Sequence, residues 1–413
     1  MTAFFVILAV MKRVLNLFFV AWSLSFLAVA CGVQYPSVKA KYLILVSMDG
    51  FRDDYTSWYE TPTLDDMALT GCSAVMRPSY PASTFPNHYT LATGLVPDHN
   101  GIVNNTFWDA KIGKRYSMSG EAKYDRRFYS GEPIWNTAGR QGVKSGVVYW
   151  VGSDLHVNGK DPDYWFPYDN SNLLTYRKRV DTLLSYLTLP EPLRPRLLMI
   201  YFDEPDHSGH GFGPDAKEVG YAVRSVDRMV SRIREGLREL GLADQTDLIV
   251  LSDHGMAEIS EERVVSPSKY LKREWYSRMI YGTPTFIYSD KPACRDSIVN
   301  ALKGVEHISV WRSGEVPAEL MYGTNPREGD IIVAPEVGWQ FTDKPKDHGG
   351  AHGYSPFDPE MQVVFRAEGP DFKKGYKAGS FQNVDIYPLA CHILGITPSP
   401  NDGSLKEVIK MLK

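Results

Sequence analysis

The run Tyr42-Leu43-Ile44-Leu45-Val46-Ser47-Met48, closed by Asp49-Gly50, decides the fold. It is a continuous apolar stretch of strand length. A strand apolar on both faces suits the middle of a parallel sheet covered by helices. The same shape returns twice. Leu197-Leu198-Met199-Ile200-Tyr201-Phe202 stops at Asp203, and Leu248-Ile249-Val250-Leu251-Ser252 stops at Asp253-His254-Gly255. Between these two, residues 216–240 carry Val219, Val223, Val226, Met229, Val230, Ile233 and Leu237 at helical spacing, the mark of an amphipathic helix. Residues 143–151, preceded by 134–139, add another strand and helix signal. The alternation predicts an α/β protein with a mostly parallel central sheet and helices on both faces. Each acidic residue falls just past the C-terminal end of a strand, where open α/β sheets place their ligands. No linker-like stretch divides the chain, so residues 41–413 read as one domain.

Composition removes several function classes. The 413 residues are 43% apolar and 23% charged, enough for a large core. A formal charge of -4 argues against a protein that coats nucleic acid, which would carry a basic excess. Four cysteines in this length exclude a disulfide scaffold.

The N-terminus reads as a targeting segment. From Met11, the more plausible start, Lys12-Arg13 precedes an apolar run from Leu15 to Ala28 and then small residues, the pattern of a signal peptide over residues 1–30. Ala28-Val29-Ala30 fits an A-x-A cleavage site. Leu27-Ala28-Val29-Ala30-Cys31 is similar to a bacterial lipoprotein box, with Ala28 where a bulkier aliphatic residue is usual; it makes Cys31 a candidate lipid anchor. An uncleaved membrane anchor is the competing reading, but the run is short for a span of ~20 residues. Either way, residues 31–40 form a tether and the expected location is exported, periplasmic or at the cell envelope.

The chemistry concentrates elsewhere. In Pro78-Ser79-Tyr80-Pro81-Ala82-Ser83-Thr84-Phe85-Pro86-Asn87-His88-Tyr89, three prolines fix the path and forbid a helix before about Asn87, with Thr84 at the helix entry. Thr84 or Ser83 could serve as an N-cap. Thr84 could equally be a nucleophilic hydroxyl at a helix N-terminus, where an anion is favoured. Such a hydroxyl needs activation, and a bound metal ion supplies it. Asp203-Glu204-Pro205-Asp206-His207, Asp253-His254 and Asp347-His348-Gly349-Gly350-Ala351-His352-Gly353-Tyr354 offer carboxylates and imidazoles. Pro205 argues against a regular helix in the first of these. Adjacent glycines in the last let the backbone approach a ligand closely. With Asp49 and Thr84 these form a two-metal set of oxygen and nitrogen donors, the composition expected of zinc.

With these segments in view, the chain resembles the nucleotide pyrophosphatase/phosphodiesterase family of the alkaline phosphatase superfamily, in its short bacterial form. The resemblance runs from about Lys41 to the end. It rests on Val46-Ser47-Met48-Asp49-Gly50-Phe51-Arg52, Thr84-Phe85-Pro86-Asn87-His88-Tyr89, Gly101-Ile102-Val103-Asn104-Asn105, Pro133-Ile134-Trp135, residues 201–210, Ser252-Asp253-His254-Gly255-Met256 and His352-Gly353-Tyr354. It implies an alkaline-phosphatase-like fold and two zinc ions per chain. One ion would use Asp203, His207 and His352, with His348 as a competitor for the last. The other would use Asp49, Asp253, His254 and Thr84 Oγ, with Thr84 as nucleophile. The resemblance further implies that Asn105, helped by the Phe85 N–H, binds a phosphate oxygen, and that Phe85 and Tyr168 form an aromatic slot for a nucleobase. Ser355-Pro356 departs from the Asp-Asn usual in the family, beyond the ligand positions. The implied reaction is hydrolysis of nucleotide phosphodiester and pyrophosphate bonds through a nucleotidyl-threonine intermediate, releasing a nucleoside monophosphate.

Two rivals share the scaffold. A phosphomonoesterase would need a cationic clamp for the extra negative charge; none adjoins Thr84, and Arg77 is the closest upstream. A phospholipid-headgroup diesterase depends on loops that local pattern does not specify. A secreted binding protein with a degenerate site would lack a ligand, and none is missing.

Overall fold

The computed structural model describes residues 37–156, 161–168 and 173–413. The stretch read as a signal peptide and the candidate anchor Cys31 lie outside these residues.

Every residue of strand β1 (Tyr42–Met48) is buried, as its sequence requires. The strands around it are β2 (Cys72–Arg77), β3 (Ser145–Val148), β4 (Tyr164–Phe166), β5 (Leu197–Phe202), β6 (Thr246–Leu251), β7 (Val363–Glu368), β8 (Tyr376–Lys377) and β9 (Phe381–Gln382). They form a nine-stranded sheet in the order β8-β2-β7-β6-β1-β5-β3-β4, with β9 also paired to β2. β1 runs parallel to β5 and β6, and β3 parallel to β4 and β5. Only β7 runs against its neighbours β2 and β6. The sheet is therefore mostly parallel, as read from the apolar runs. The architecture is the α/β one that the sequence predicts.

A strand buried at every position needs cover on both faces, and two helix groups supply it. One group contains α1 (Pro62–Thr70), α4 (Tyr176–Leu187) and α6 (Lys217–Glu239); the other contains α2 (Thr84–Thr93), α3 (Ile134–Arg140) and α7 (Ile386–Leu394). α6 buries Val219, Val223, Val226, Val230, Ile233 and Leu237, so the apolar stripe read from the sequence is its inner face. Between β6 and β7 the chain builds a separate four-stranded antiparallel sheet from Arg278–Ile280, Thr285–Tyr288, Ile308–Arg312 and Ile331–Pro335. No helix among the described residues is long and apolar enough to cross a membrane.

Two local expectations need correction. α2 begins at Thr84, not near Asn87. Pro86 falls in its first turn, where backbone N–H groups have no intrahelical partner to lose. Likewise, α5 (Asp206–Phe212) is a regular helix that starts directly after Pro205. Pro205 occupies the N-cap, so it opens a helix where the sequence suggested a loop.

Candidate active site

The register of the central strands brings the acidic residues together. Met48 is paired with Phe202 and Ser47 with Leu251, so Asp49 and Asp253 emerge from neighbouring strand ends. Asp49, Asp253 and His254 form one cluster of potential metal ligands, and all three are buried. His254 Nε2 lies 3.1 Å from Asp49 Oδ1 and 3.2 Å from Asp253 Oδ2. Thr84 Oγ1 joins them, 3.0 Å from the same nitrogen. Thr84 is 3% exposed and stands in the first turn of α2, with Ser83 at the N-cap and no side-chain cap there. Its hydroxyl is thus turned to the cluster and not to the helix end.

The second cluster is Asp206, His210 and His352. This corrects the expected trio of Asp203, His207 and His352. Because α5 starts at Asp206, Asp206 and His210 sit one turn apart on the same helix face, the i,i+4 relation. His210 Nε2 is 3.5 Å and His352 Nε2 3.6 Å from Asp206 Oδ1. Asp203 is instead turned to the buried Arg179, whose Nη2 lies 3.0 Å from its Oδ1. His207 is exposed. Between the competing histidines, His352 belongs to the cluster, whereas His348 has a 72% exposed side chain beside Asp347. The two clusters adjoin, since the His254 and His352 rings stack at 3.7 Å. Gly50 makes this possible: its φ is +68°, and a Cβ there would lie 2.9 Å from Asp206 Cα.

The donors fit a pair of cations. Each histidine directs Nδ1 to a backbone carbonyl: His254 to Gly255 at 2.8 Å, His210 to Gly350 at 2.8 Å, and His352 to Ala82 at 3.1 Å. A carbonyl only accepts, so Nδ1 carries the proton and Nε2 is left to face the carboxylates, as in metal-binding histidines. Among the described residues, Asp49 Oδ1, Asp206 Oδ1 and Asp253 Oδ2 face no donor other than imidazole nitrogens. Burial, then the charges of Asp253 and Asp206, push the Asp49 carboxyl well above the usual range. Burial would lower His254, but the Asp253 and Asp49 carboxylates outweigh it and raise the imidazole to about 10. Burial and the two neighbouring imidazoles hold His352 well below the ordinary range. The group as a whole calls for positive charge at its centre.

Asn105 arrives from the loop after α2 and accepts a hydrogen bond from the Phe85 N–H at 2.9 Å. The Phe85 amide is thus engaged by Asn105 itself, whose oxygen accepts and whose NH2 remains its donor group. Phe85 and Tyr168 meet edge to face with centroids 5.2 Å apart, forming an aromatic corner. Lys123 Nζ lies 5.7 Å from the Tyr168 ring, a cation that no local motif announced. Arg77 is stacked on Phe357.

Residues 43–355 match the family model described as type I phosphodiesterase / nucleotide pyrophosphatase. The human ectonucleotide pyrophosphatase/phosphodiesterase family member 1 is 34% identical over 386 residues, covering 90% of this chain and 42% of that protein. A venom phosphodiesterase of Crotalus durissus collilineatus is 33% identical over 387 residues, covering 90% of this chain and 46% of its own length. The chain therefore spans less than half the length of these curated relatives. Among solved structures, murine ectonucleotide pyrophosphatase / phosphodiesterase 5 superposes with a TM-score of 0.85 at 32% identity, covering 90% of this chain and all of that one. An inactive threonine-to-alanine variant of the murine protein, in complex with AMP, matches with the same score and identity over 91% of this chain.

Proposed function

This chain belongs to the type I phosphodiesterase / nucleotide pyrophosphatase family, and from that premise we propose that it is a metal-dependent hydrolase of nucleotide phosphodiester and pyrophosphate bonds. The observation that carries the reading is the convergence of Thr84 Oγ1 with two adjoining ligand clusters at the C-terminal ends of the central strands. Asp49, Asp253, His254 and Thr84 would hold one zinc ion, and Asp206, His210 and His352 the other. Bound there, zinc would lower the pKa of a hydroxyl and offset phosphate charge.

The chain's own residues supply the rest. The Thr84 hydroxyl gives up its proton to water as Oγ1 attacks phosphorus. The new O–P bond forms as the bond to the leaving oxygen breaks. That oxygen departs with the bonding pair and takes a proton from water, and a nucleotidyl-threonine ester results. Water then cleaves the ester and releases a nucleoside monophosphate. The Asn105 NH2, held by the Phe85 contact, donates to a non-bridging oxygen as charge builds there. The Phe85–Tyr168 corner, 2% and 7% exposed, is the proposed nucleobase side of the site, a reading supported by the AMP bound in the murine relative's structure. Export remains part of the proposal, resting on the sequence of residues 11–30; intact-mass measurement of the mature protein tests both cleavage and acylation of Cys31.

The deciding experiment compares rates on a nucleoside triphosphate, a dinucleotide, a lysophospholipid and an aryl monophosphate. Nucleotide diesters and triphosphates should be hydrolysed fastest. A faster lysophospholipid rate would move the activity to phospholipid headgroups, and a faster monophosphate rate would sink the diesterase assignment.

A further inference from the structure

His88 takes no part in either ligand cluster, yet it is wholly buried against one of them. It sits one turn after Thr84 on α2, so its ring lies back beneath the candidate nucleophile. Its Nδ1 is 2.9 Å from the Thr84 carbonyl and 3.2 Å from Asp253 Oδ2. Its Nε2 is 2.9 Å from Ser47 Oγ, on β1. Because the Thr84 carbonyl can only accept, Nδ1 is the donor on that side, while Nε2 shares a hydrogen bond with the Ser47 hydroxyl. The ring is fixed from both sides, edge to face with Trp150 at 5.3 Å and with Tyr201 at 4.9 Å. Trp150 Nε1 also donates to the His88 carbonyl at 3.0 Å. Gly50 N–H and Ser252 Oγ satisfy the other Asp253 oxygen, Oδ1. One imidazole therefore bridges the backbone of the nucleophile and the inward oxygen of a ligand carboxylate.

We propose that His88 is a positioning residue that locks Asp253 Oδ2 and Thr84 into a common geometry for ion binding and attack. The inference rests on the reading of Asp253 as a metal ligand and Thr84 as nucleophile. Outer partners of metal ligands typically change metal affinity or activity 10–100-fold.

The test compares His88→Phe, which keeps ring volume without donors, with His88→Asn, whose amide N–H can stand near the Nδ1 position, and Ser47→Ala. Zinc affinity is measured by competition with a colour-forming chelator, alongside kcat and KM on a small aryl diester. His88→Phe should weaken the tighter zinc by about 10–100-fold and lower kcat with KM unchanged. His88→Asn should recover most of both losses, and Ser47→Ala should stay within a few-fold of wild type. If His88→Phe binds zinc like wild type, or His88→Asn does no better than His88→Phe while circular dichroism shows both folded, the inference is overturned. A wild-type protein that binds no zinc overturns the metal reading itself, and the positioning role with it.

Discussion

Asp49, Asp253 and His254 stand at the ends of two adjacent central strands and are buried, whereas Asp206, His210 and His352 come from a short helix and a glycine-rich turn and are partly exposed. The inner cluster inherits the rigidity of the sheet. Its carboxylates have buried partners behind them: Tyr201 donates to Asp49 Oδ2 at 2.6 Å, and Gly50 N–H to Asp253 Oδ1 at 3.2 Å. The outer cluster depends on backbone contacts between α5 and the turn, chiefly His210 to the Gly350 carbonyl. Gly350 permits that approach, since a Cβ there would lie 2.7 Å from Gly209 O. The difference implies a division of labour: a fixed inner site that holds the nucleophile, and an outer site open to exchange.

The largest effect should follow from touching the inner site. Thr84→Ala should lower kcat by about 10³-fold or more, as deletion of a covalent nucleophile does, while the far-ultraviolet spectrum stays unchanged. Retention of more than a tenth of the rate would mean that water attacks directly and that Thr84 is structural.

Metal removal probes the contrast itself. On chelator addition, zinc should leave in two phases, the outer ion first, with melting temperature falling mainly in the slower phase because that ion ties strand ends together. A single phase with one stability step would erase the distinction between the sites.

Within the outer site, His210→Ala should weaken one zinc at least about tenfold, the lower end of what even outer partners achieve. His207→Ala should leave zinc content and rate near wild type. The reverse pattern would restore the Asp203 and His207 pair and contradict the helix-face geometry.

The smallest effect concerns substrate preference. Phe85→Ala should cost nucleotide substrates about 1–3 kcal/mol, the worth of stacking one base on an aromatic ring, and should spare a small aryl diester. Equal losses on both would make Phe85 a support for Thr84 alone.

The ease of reading the sequence followed the same division. β1, β5 and β6 were visible because strands buried on both faces leave uninterrupted apolar runs, and the acids that end them mark the sheet's ligand edge. Asp49, Asp253 and His254, which the structure gathers in one cluster, stand directly at that edge. Asp203 and His207 were the pair implied by the resemblance, and the helix that instead brings Asp206 and His210 onto one face begins right after Pro205, a residue compatible with a helix start. The i,i+4 spacing of Asp206 and His210 was the signal available, the same spacing that puts paired ligands on one helix face in metal-binding motifs. Other features had no local signature. The reversed strand β7 is defined by partners far away in the chain, and so is the placement of Lys123 over Tyr168. The Phe85–Asn105 contact joins residues whose motifs were recognised separately, so their hydrogen bond to each other came only with the fold.

The tethering of each ligand imidazole to a carbonyl has a thermodynamic consequence. His254, His210 and His352 have their ring orientations set by Gly255, Gly350 and Ala82. An ion entering such a cradle freezes few torsions and removes little apolar surface from water. Its uptake should therefore proceed with a heat-capacity change near zero, in contrast to small metal domains that fold around their ion. Titration calorimetry at several temperatures would then give nearly the same enthalpy once buffer protonation is subtracted, the behaviour of a socket made ready by folding.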